Sequence, residues 1–257
     1  MDAPQILKPF RFKRWLPYYA VFQEDIRQTL RSWVYRSWVL VSLLAAVGYL
    51  LYRFGVQRDA GINQSASSLI SDLLRWTVFG SVTLIIVLTA GSISGERGNV
   101  ADSVLSRGIS RYQYFLGKWH SRLFAVLGTF FGLTLLALVG SFFLLHKDLD
   151  PGGSLVALLT VAGLLAVVTT GGVAVSAVTN STVLGITVLW VLLYGTGFIL
   201  SLLPRDCPSP DRALENLPNI LRGLYDLQVF GRLMAWCGGI CFGVALVGLV
   251  LFSRRDV

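Results

Sequence analysis

The sequence predicts an all-α integral membrane protein with six transmembrane helices, and two observations lead to this fold class. Only 14% of the 257 residues are charged, whereas a soluble domain carries roughly 25%. The stretch from Pro151 to Pro204 contains no charged residue at all. A run of that length fits two membrane spans joined by a tight turn, because each span needs about 20 apolar residues.

Six apolar runs are long enough to cross the hydrocarbon core. The first is short, and we expect it to extend back through Trp33, with the long side chain of Arg36 reaching the interface. Residues 1–36 are polar and basic, which predicts a retained anchor rather than a cleaved signal peptide. The transmembrane domain is therefore 37–252 and the tail 253–257. The six runs are 37–52, 76–94, 123–145, 154–178, 181–203 and 233–252.

The basic residues of the chain predict its orientation. Six spans place both termini on one side, and that side carries fourteen of the 22 Lys and Arg residues. The positive-inside rule then predicts that both termini are cytoplasmic. The net charge of +8 is located at span ends and in short loops. We therefore expect these residues to contact lipid headgroups, and we do not expect a nucleic-acid partner.

A helix lying in the plane of the membrane surface is predicted at 18–32, before the first span. Its apolar and polar residues separate onto two faces at helical spacing, which is typical of an interfacial amphipathic helix. We expect the apolar face to enter the headgroup region and the polar face to contact water. The apolar residues are Phe22, Ile26, Leu30 and Trp33, and the polar residues are Glu24, Asp25, Arg27, Gln28 and Arg31.

The polar stretch 95–111, between the second and third spans, predicts a short helix held at the cytoplasmic surface. Asn99 is a suitable N-cap, and Asp102 lies near the positive end of the helix dipole. Gly108 suits the left-handed backbone conformation in which many helices end. An apolar edge is formed by Val100, Val104 and Leu105.

A second helix start follows directly. Ser110 and Gln113 have the spacing of a capping box. The helix that they open is expected to run through Lys118 and continue into the third span. The third span should therefore project into the cytoplasm beside the short helix.

Segment 204–232, between the fifth and sixth spans, predicts a broken helical hairpin. Pro210 and Pro218 each suit the first turn of a helix. The second helix has an apolar stripe that is too short to cross the bilayer. It either re-enters the membrane, shielded by protein, or lies on the outer surface. The stripe consists of Leu217, Ile220, Leu221, Leu224 and Leu227.

Small residues indicate close packing between spans. The last span contains Gly238, Gly239, Gly243 and Gly248, and such residues allow helices to approach in lipid. We interpret them as sites of packing within the chain rather than as a dimerisation motif.

The sequence also argues against some functions. No Asp, Glu, Lys, Arg or His lies in the core of any span, although proton-coupled carriers use such groups as relays. There is no phosphate-binding loop, because Gly117 and Lys118 are followed by Trp119. No arrangement of residues indicates a catalytic or metal site. We therefore expect no cofactor on this chain, and an energy source elsewhere if the protein transports anything.

The stretch 93–98, with 102–111 and 115–118, resembles the first cytoplasmic loop of permease subunits of type V ATP-binding-cassette (ABC) exporters. In that family, an acidic-basic-acidic run ends the second span, and a Leu-Leu-Ser-x-Pro-Val-Ser-Arg segment precedes a Leu-Gly-Lys at the third. This chain departs from the pattern at Gly98 and at Gly108. Segment 24–32 is also similar to the interfacial helix of the family, and 252–257 to its tail.

This resemblance implies that residues 99–107 form a coupling helix that docks on a separate ATPase subunit. ATP and Mg²⁺ would be bound by that partner, in a complex of two ATPases and two permeases, either identical or related. The location would be a prokaryotic plasma membrane. The implied docking residues are Glu96, Arg97, Asn99, Val100, Asp102, Val104, Leu105, Ser106, Arg107, Ser110 and Arg111, and the implied outer gate is formed by Pro218, Ile220, Leu221 and Leu224.

Two other functions fit the composition. A membrane-embedded lipid-modifying enzyme requires carboxylates or histidines clustered at one membrane face, for which loop 96–122 offers Glu96, Asp102 and His120. A membrane assembly protein without transport activity is the other alternative.

Overall fold

The computed structural model describes residues 15–60, 65–96, 109–144, 148–202 and 209–254, and its regular structure there is helical. These ranges contain nine α-helices and one short 3₁₀ turn at Ser94–Glu96. The helices are α1 Leu16–Arg31, α2 Trp33–Ala60, α3 Ala66–Ala90, α4 Arg111–Leu144, α5 Pro151–Val178, α6 Thr182–Leu202, α7 Pro210–Glu215, α8 Leu217–Leu221 and α9 Leu227–Arg254.

Six of these helices, α2 to α6 and α9, are long and apolar enough to cross a membrane. Each coincides with one predicted span, so the six-span prediction is confirmed. Two helices extend beyond the apolar runs, since α2 continues to Ala60 and α3 already begins at Ala66. The extension is held by a polar contact, in which Arg53 pairs with Asp72 at 2.8 Å.

The six long helices alternate in direction and give the bundle two ends. One end carries α1, the 3₁₀ turn and the start of α4, and we call it the α1 face. Contacts between helix ends define it, including the bond from Arg111 Nη1 to the Ser253 carbonyl oxygen at 3.1 Å. The other end, the far face, carries α7 and α8, where Arg75 Nε bonds the Leu214 carbonyl oxygen at 2.9 Å.

Helix α5 is the centre of the bundle and contacts α3, α4, α6, α8 and α9. Small residues permit these approaches. A Cβ atom on Gly172 would lie 1.9 Å from Thr89 Oγ1 of α3, and one on Gly163 would lie 2.9 Å from Met234 Cε of α9. Because packing rather than water exclusion holds helices together in lipid, such close contacts contribute much of the stability.

The interpretation of the α9 glycines as packing sites is correct for one of them and wrong for three. Gly248 packs on α5, where an added Cβ would lie 2.9 Å from Ala174 Cβ. Gly238, Gly239 and Gly243 have nothing within 4 Å of that position. All three are exposed in the part of the chain that the structure describes.

The predicted helix before the first span is present as α1, and its interfacial position stays a prediction, but the assignment of Asp25 to its water-facing side is wrong. Val21, Asp25 and Thr29 recur every four residues and form a buried stripe against α4. Asp25 is 1% exposed, whereas Leu30 is 46% exposed. Helix α1 therefore has three sides. One side, with Val21, Asp25 and Thr29, packs against the protein, and the other two are the apolar and polar sides that the sequence shows.

The predicted helix starts in the hairpin region are also present. Ser209 caps α7 by accepting a bond from the Arg212 backbone N–H, and α8 begins one residue before Pro218. The predicted apolar stripe is only partly buried. Leu217 and Leu221 are in the core, but Leu224 and Leu227 are exposed, since α8 ends at Leu221 and the chain turns away there.

Candidate functional site

A buried cluster of charges lies at the α1 face, where α1, the 3₁₀ turn and α4 meet. Lys118 Nζ lies 2.7 Å from Asp25 Oδ1 and 2.5 Å from Glu96 Oε1. Arg122 Nη2 donates a second bond to Asp25 Oδ1 at 3.1 Å. The two carboxylates and two cations have formal charges that cancel. We call these four residues the charge cluster.

Hydroxyl groups complete the coordination of the carboxylates. Ser121 Oγ donates to Asp25 Oδ2. Tyr114 OH donates to Glu96 Oε2 at 2.8 Å. Asp25 therefore accepts bonds through both oxygens, as a carboxylate removed from water requires.

Gly117 explains how the cluster can form. A Cβ on this residue would lie 2.8 Å from Val21 Cγ1, so a larger side chain would push α1 away from α4. The next residue, Lys118, has a side chain that is only 4% exposed and points to Asp25. Gly117 thus allows α1 to approach α4 closely, and the charge of the next residue, Lys118, holds α1 in that position.

The cluster is attached to both ends of segment 97–108, which lies outside the described residues. Before the segment, Glu96 belongs to the cluster, and the N–H groups of Ile93 and Ser94 donate to Ser176 Oγ at 2.9 and 3.1 Å. After it, the predicted capping box is confirmed. The Ser110 N–H bonds Gln113 Oε1 at 3.1 Å, and the Gln113 N–H bonds Ser110 Oγ at 3.2 Å.

Three of the predicted docking residues can be located. Glu96 is turned inward, with its side chain 23% exposed, and Arg111 donates to the end of α9. Ser110 is exposed and caps α4. The docking role of all eleven residues stays a prediction. Those outside the described residues are Arg97, Asn99, Val100, Asp102, Val104, Leu105, Ser106 and Arg107.

The predicted gate residues lie at the far face, in and after α8. The Asp150 N–H bonds the Leu221 carbonyl oxygen at 2.8 Å, and Arg222 Nε bonds Ser67 Oγ at 2.9 Å. Leu221 is buried, Pro218 and Ile220 are half-buried, and Leu224 is 71% exposed. These contacts fix α8 to α3 and α5, and the gate role stays a prediction.

Sequence reasoning missed the charge cluster because its members come from three separate segments. The available signal was the presence of an Asp in α1, a Glu at the end of the second span and a Lys at the start of the third. Each of these residues lies in a stretch with a local signal of its own, and only the fold brings the three together. No protein-family model matches this chain, and no curated protein matches it.

Proposed function

We propose that this chain is the permease subunit of an ABC exporter, in which a separate ATPase subunit hydrolyses ATP and drives export. The two subunits would meet at segment 97–108, on a cytoplasmic α1 face. The chain itself would bind no nucleotide, and ATP and Mg²⁺ would be held by the partner. Two permeases, identical or related, would form the complete transporter in a prokaryotic plasma membrane.

The observation that carries this proposal is the charge cluster. It joins the three stretches on which the family resemblance rests, namely those around Asp25, Glu96 and Lys118. A force applied to segment 97–108 would act directly on Glu96 and, through Lys118, on α1 and α4. Rigid attachment of this kind is what a membrane subunit driven by an external motor needs.

The far face supports the same proposal. Helices α7 and α8 are held to α3 and α5 by Arg75, Arg222 and Asp150, so a movement of the long helices would move the hairpin. The hairpin would then open or close the exit at Pro218, Ile220, Leu221 and Leu224.

The test is purification of the affinity-tagged chain from its native membranes, followed by mass spectrometry and ATPase assay. We expect a P-loop ATPase to co-purify, and Leu105→Asp to abolish its association. The matched control is Asn180→Asp, which adds the same charge at an exposed position on the same face. If no ATPase co-purifies, or Leu105→Asp retains it fully, the proposal is wrong.

A further inference from the structure

A groove runs between α2 and α3, with α4 as its floor. Its volume is about 420 Å³, within the range of small-molecule sites. Ala46, Leu73, Thr77 and Gly80 form part of its walls, and Thr134 lies on its floor. A Cβ on Gly80 would meet nothing within 4 Å, so the groove is open along this wall.

The two ends of the groove differ in chemistry. The end nearer the α1 face is closed by Trp38, which is 5% exposed and donates from Nε1 to Ser81 Oγ at 3.2 Å. At the other end Tyr49 OH donates to Asp72 Oδ2 at 2.9 Å, and Arg53 Nη2 donates to the same oxygen at 2.8 Å. The groove is therefore lined mostly by apolar side chains, and an ion pair lies just beyond Tyr49 at one end.

The length of the groove matches one leaflet. From Trp38 to Tyr49 is eleven residues of helix, or about 16 Å, which is half of a hydrocarbon core of about 30 Å. The Asp72 and Arg53 side chains are 34% and 21% exposed, so both charges can be reached from outside. Because Arg53 follows Tyr49 by four residues on α2, we expect both charges to lie at the depth of the lipid headgroups in the far-face leaflet.

We propose that this groove binds one acyl chain of a zwitterionic phospholipid from the leaflet at the far face. The phosphate would be placed beside Arg53 and the ammonium group beside Asp72. A zwitterionic headgroup carries one negative and one positive group, and each would face the opposite charge of the Arg53–Asp72 pair. The proposal goes beyond the permease role and does not depend on it.

The experiment uses the full chain in vesicles containing a phosphatidylethanolamine with a photoreactive group in its acyl chain. Labelled residues are mapped by mass spectrometry. We expect Ala46 and Thr77 to be labelled about tenfold more than Leu135. An acyl chain in the groove contacts protein on three sides, whereas an acyl chain beside Leu135 contacts protein on one side. Leu135 is the internal reference because it is 62% exposed and adjoins the groove residue Thr134.

Two variants and a competition complete the test. Gly80→Leu, which fills the groove, should reduce this labelling to the reference level. Gly128 lies outside the groove, and an added Cβ there would also meet nothing within 4 Å, so Gly128→Leu should leave the labelling unchanged. Unlabelled phosphatidylethanolamine should compete more strongly than phosphatidylglycerol with the same chains. Equal labelling of groove and reference in the unmodified protein, or equal competition by the two lipids, would overturn the proposal.

Discussion

Asp25 of α1 and Lys118 of α4 form a buried ion pair at 2.7 Å, although 93 positions separate them in the sequence. Their side chains are 1% and 4% exposed. A pair so removed from water is stable only while each charge has its partners, because one left alone is strongly penalised. The position of α1 on the bundle therefore depends on this contact.

Replacing Asp25 with Asn is expected to destabilise the protein by about 3 kcal/mol, because Lys118 and Arg122 lose the negative charge that they share. The measurement is thermal denaturation of the purified protein in detergent. Glu24→Gln is the matched control, since this neighbour bonds only the exposed Gln28 among the contacts observed here. Equal denaturation temperatures for Asp25→Asn and Glu24→Gln would show that the pair contributes little.

Removing the Tyr114 hydroxyl is expected to have a smaller effect. Tyr114→Phe deletes the bond to Glu96 Oε2, and a bond to a charged group contributes roughly 1.5–3 kcal/mol. Lys118 still holds Glu96, so the variant should fold with a moderately lower denaturation temperature. Tyr112→Phe, at a 54% exposed position on the same helix, should behave as the unmodified protein does.

The same variant separates a structural role from a coupling role. If the charge cluster transmits force from segment 97–108, Tyr114→Phe should lower ATP turnover in the complex with the ATPase at temperatures where the chain is fully folded. A turnover equal to that of Tyr112→Phe would confine Tyr114 to a structural role.

The sequence was sufficient for the elements whose signal is local. The six spans follow from apolar runs, the capping box follows from Ser110 and Gln113 three positions apart, and the start of α7 follows from Pro210 in its first turn. The position of Asp25 could not be predicted in this way. An acidic residue among polar neighbours indicates a water-facing side, and only the fold shows that Lys118 and Arg122 lie opposite it.

The glycines illustrate the same limit. A stripe of small residues predicts that something approaches closely, but it does not say what. In α5, Gly172 has Thr89 against it, whereas Gly239 and Gly243 of α9 have nothing within 4 Å. Which side of a helix faces a neighbour depends on how all the helices pack, and periodicity in one helix contains no such information.

Gly172→Ala is expected to destabilise the contact between α3 and α5 by about 1–3 kcal/mol, because the added methyl overlaps Thr89. Thermal denaturation in detergent is the measurement, and Gly195→Ala, where nothing lies within 4 Å, is the control. The double variant Thr89→Gly with Gly172→Ala removes the overlapping atoms. It should be more stable than the sum of the two single changes predicts, and strict additivity would refute the contact.

The attachment of the hairpin can be tested at Gly153. A Cβ there would lie 2.0 Å from the Ile220 carbonyl oxygen, a backbone atom that cannot rotate away. Gly153→Ala should therefore displace α8 from α5 and increase trypsin cleavage at Arg212 and Arg222. Gly231→Ala, with nothing within 4 Å, should be cleaved at the rate of the unmodified protein. Unchanged cleavage in Gly153→Ala would show that α8 is not held by this contact.

The predicted orientation determines whether a cytoplasmic motor can reach segment 97–108. In a background without the native cysteines, Glu24→Cys on α1 and Glu215→Cys on α7 provide one exposed thiol at each end of the bundle. Because the basic residues favour a cytoplasmic α1 face, a membrane-impermeant maleimide added to intact cells should label only Glu215→Cys. Both thiols should react after the cells are lysed, which controls for accessibility. Labelling of Glu24→Cys in intact cells would place the charge cluster and segment 97–108 outside, where no ATP is available to a partner, and the permease proposal would fail.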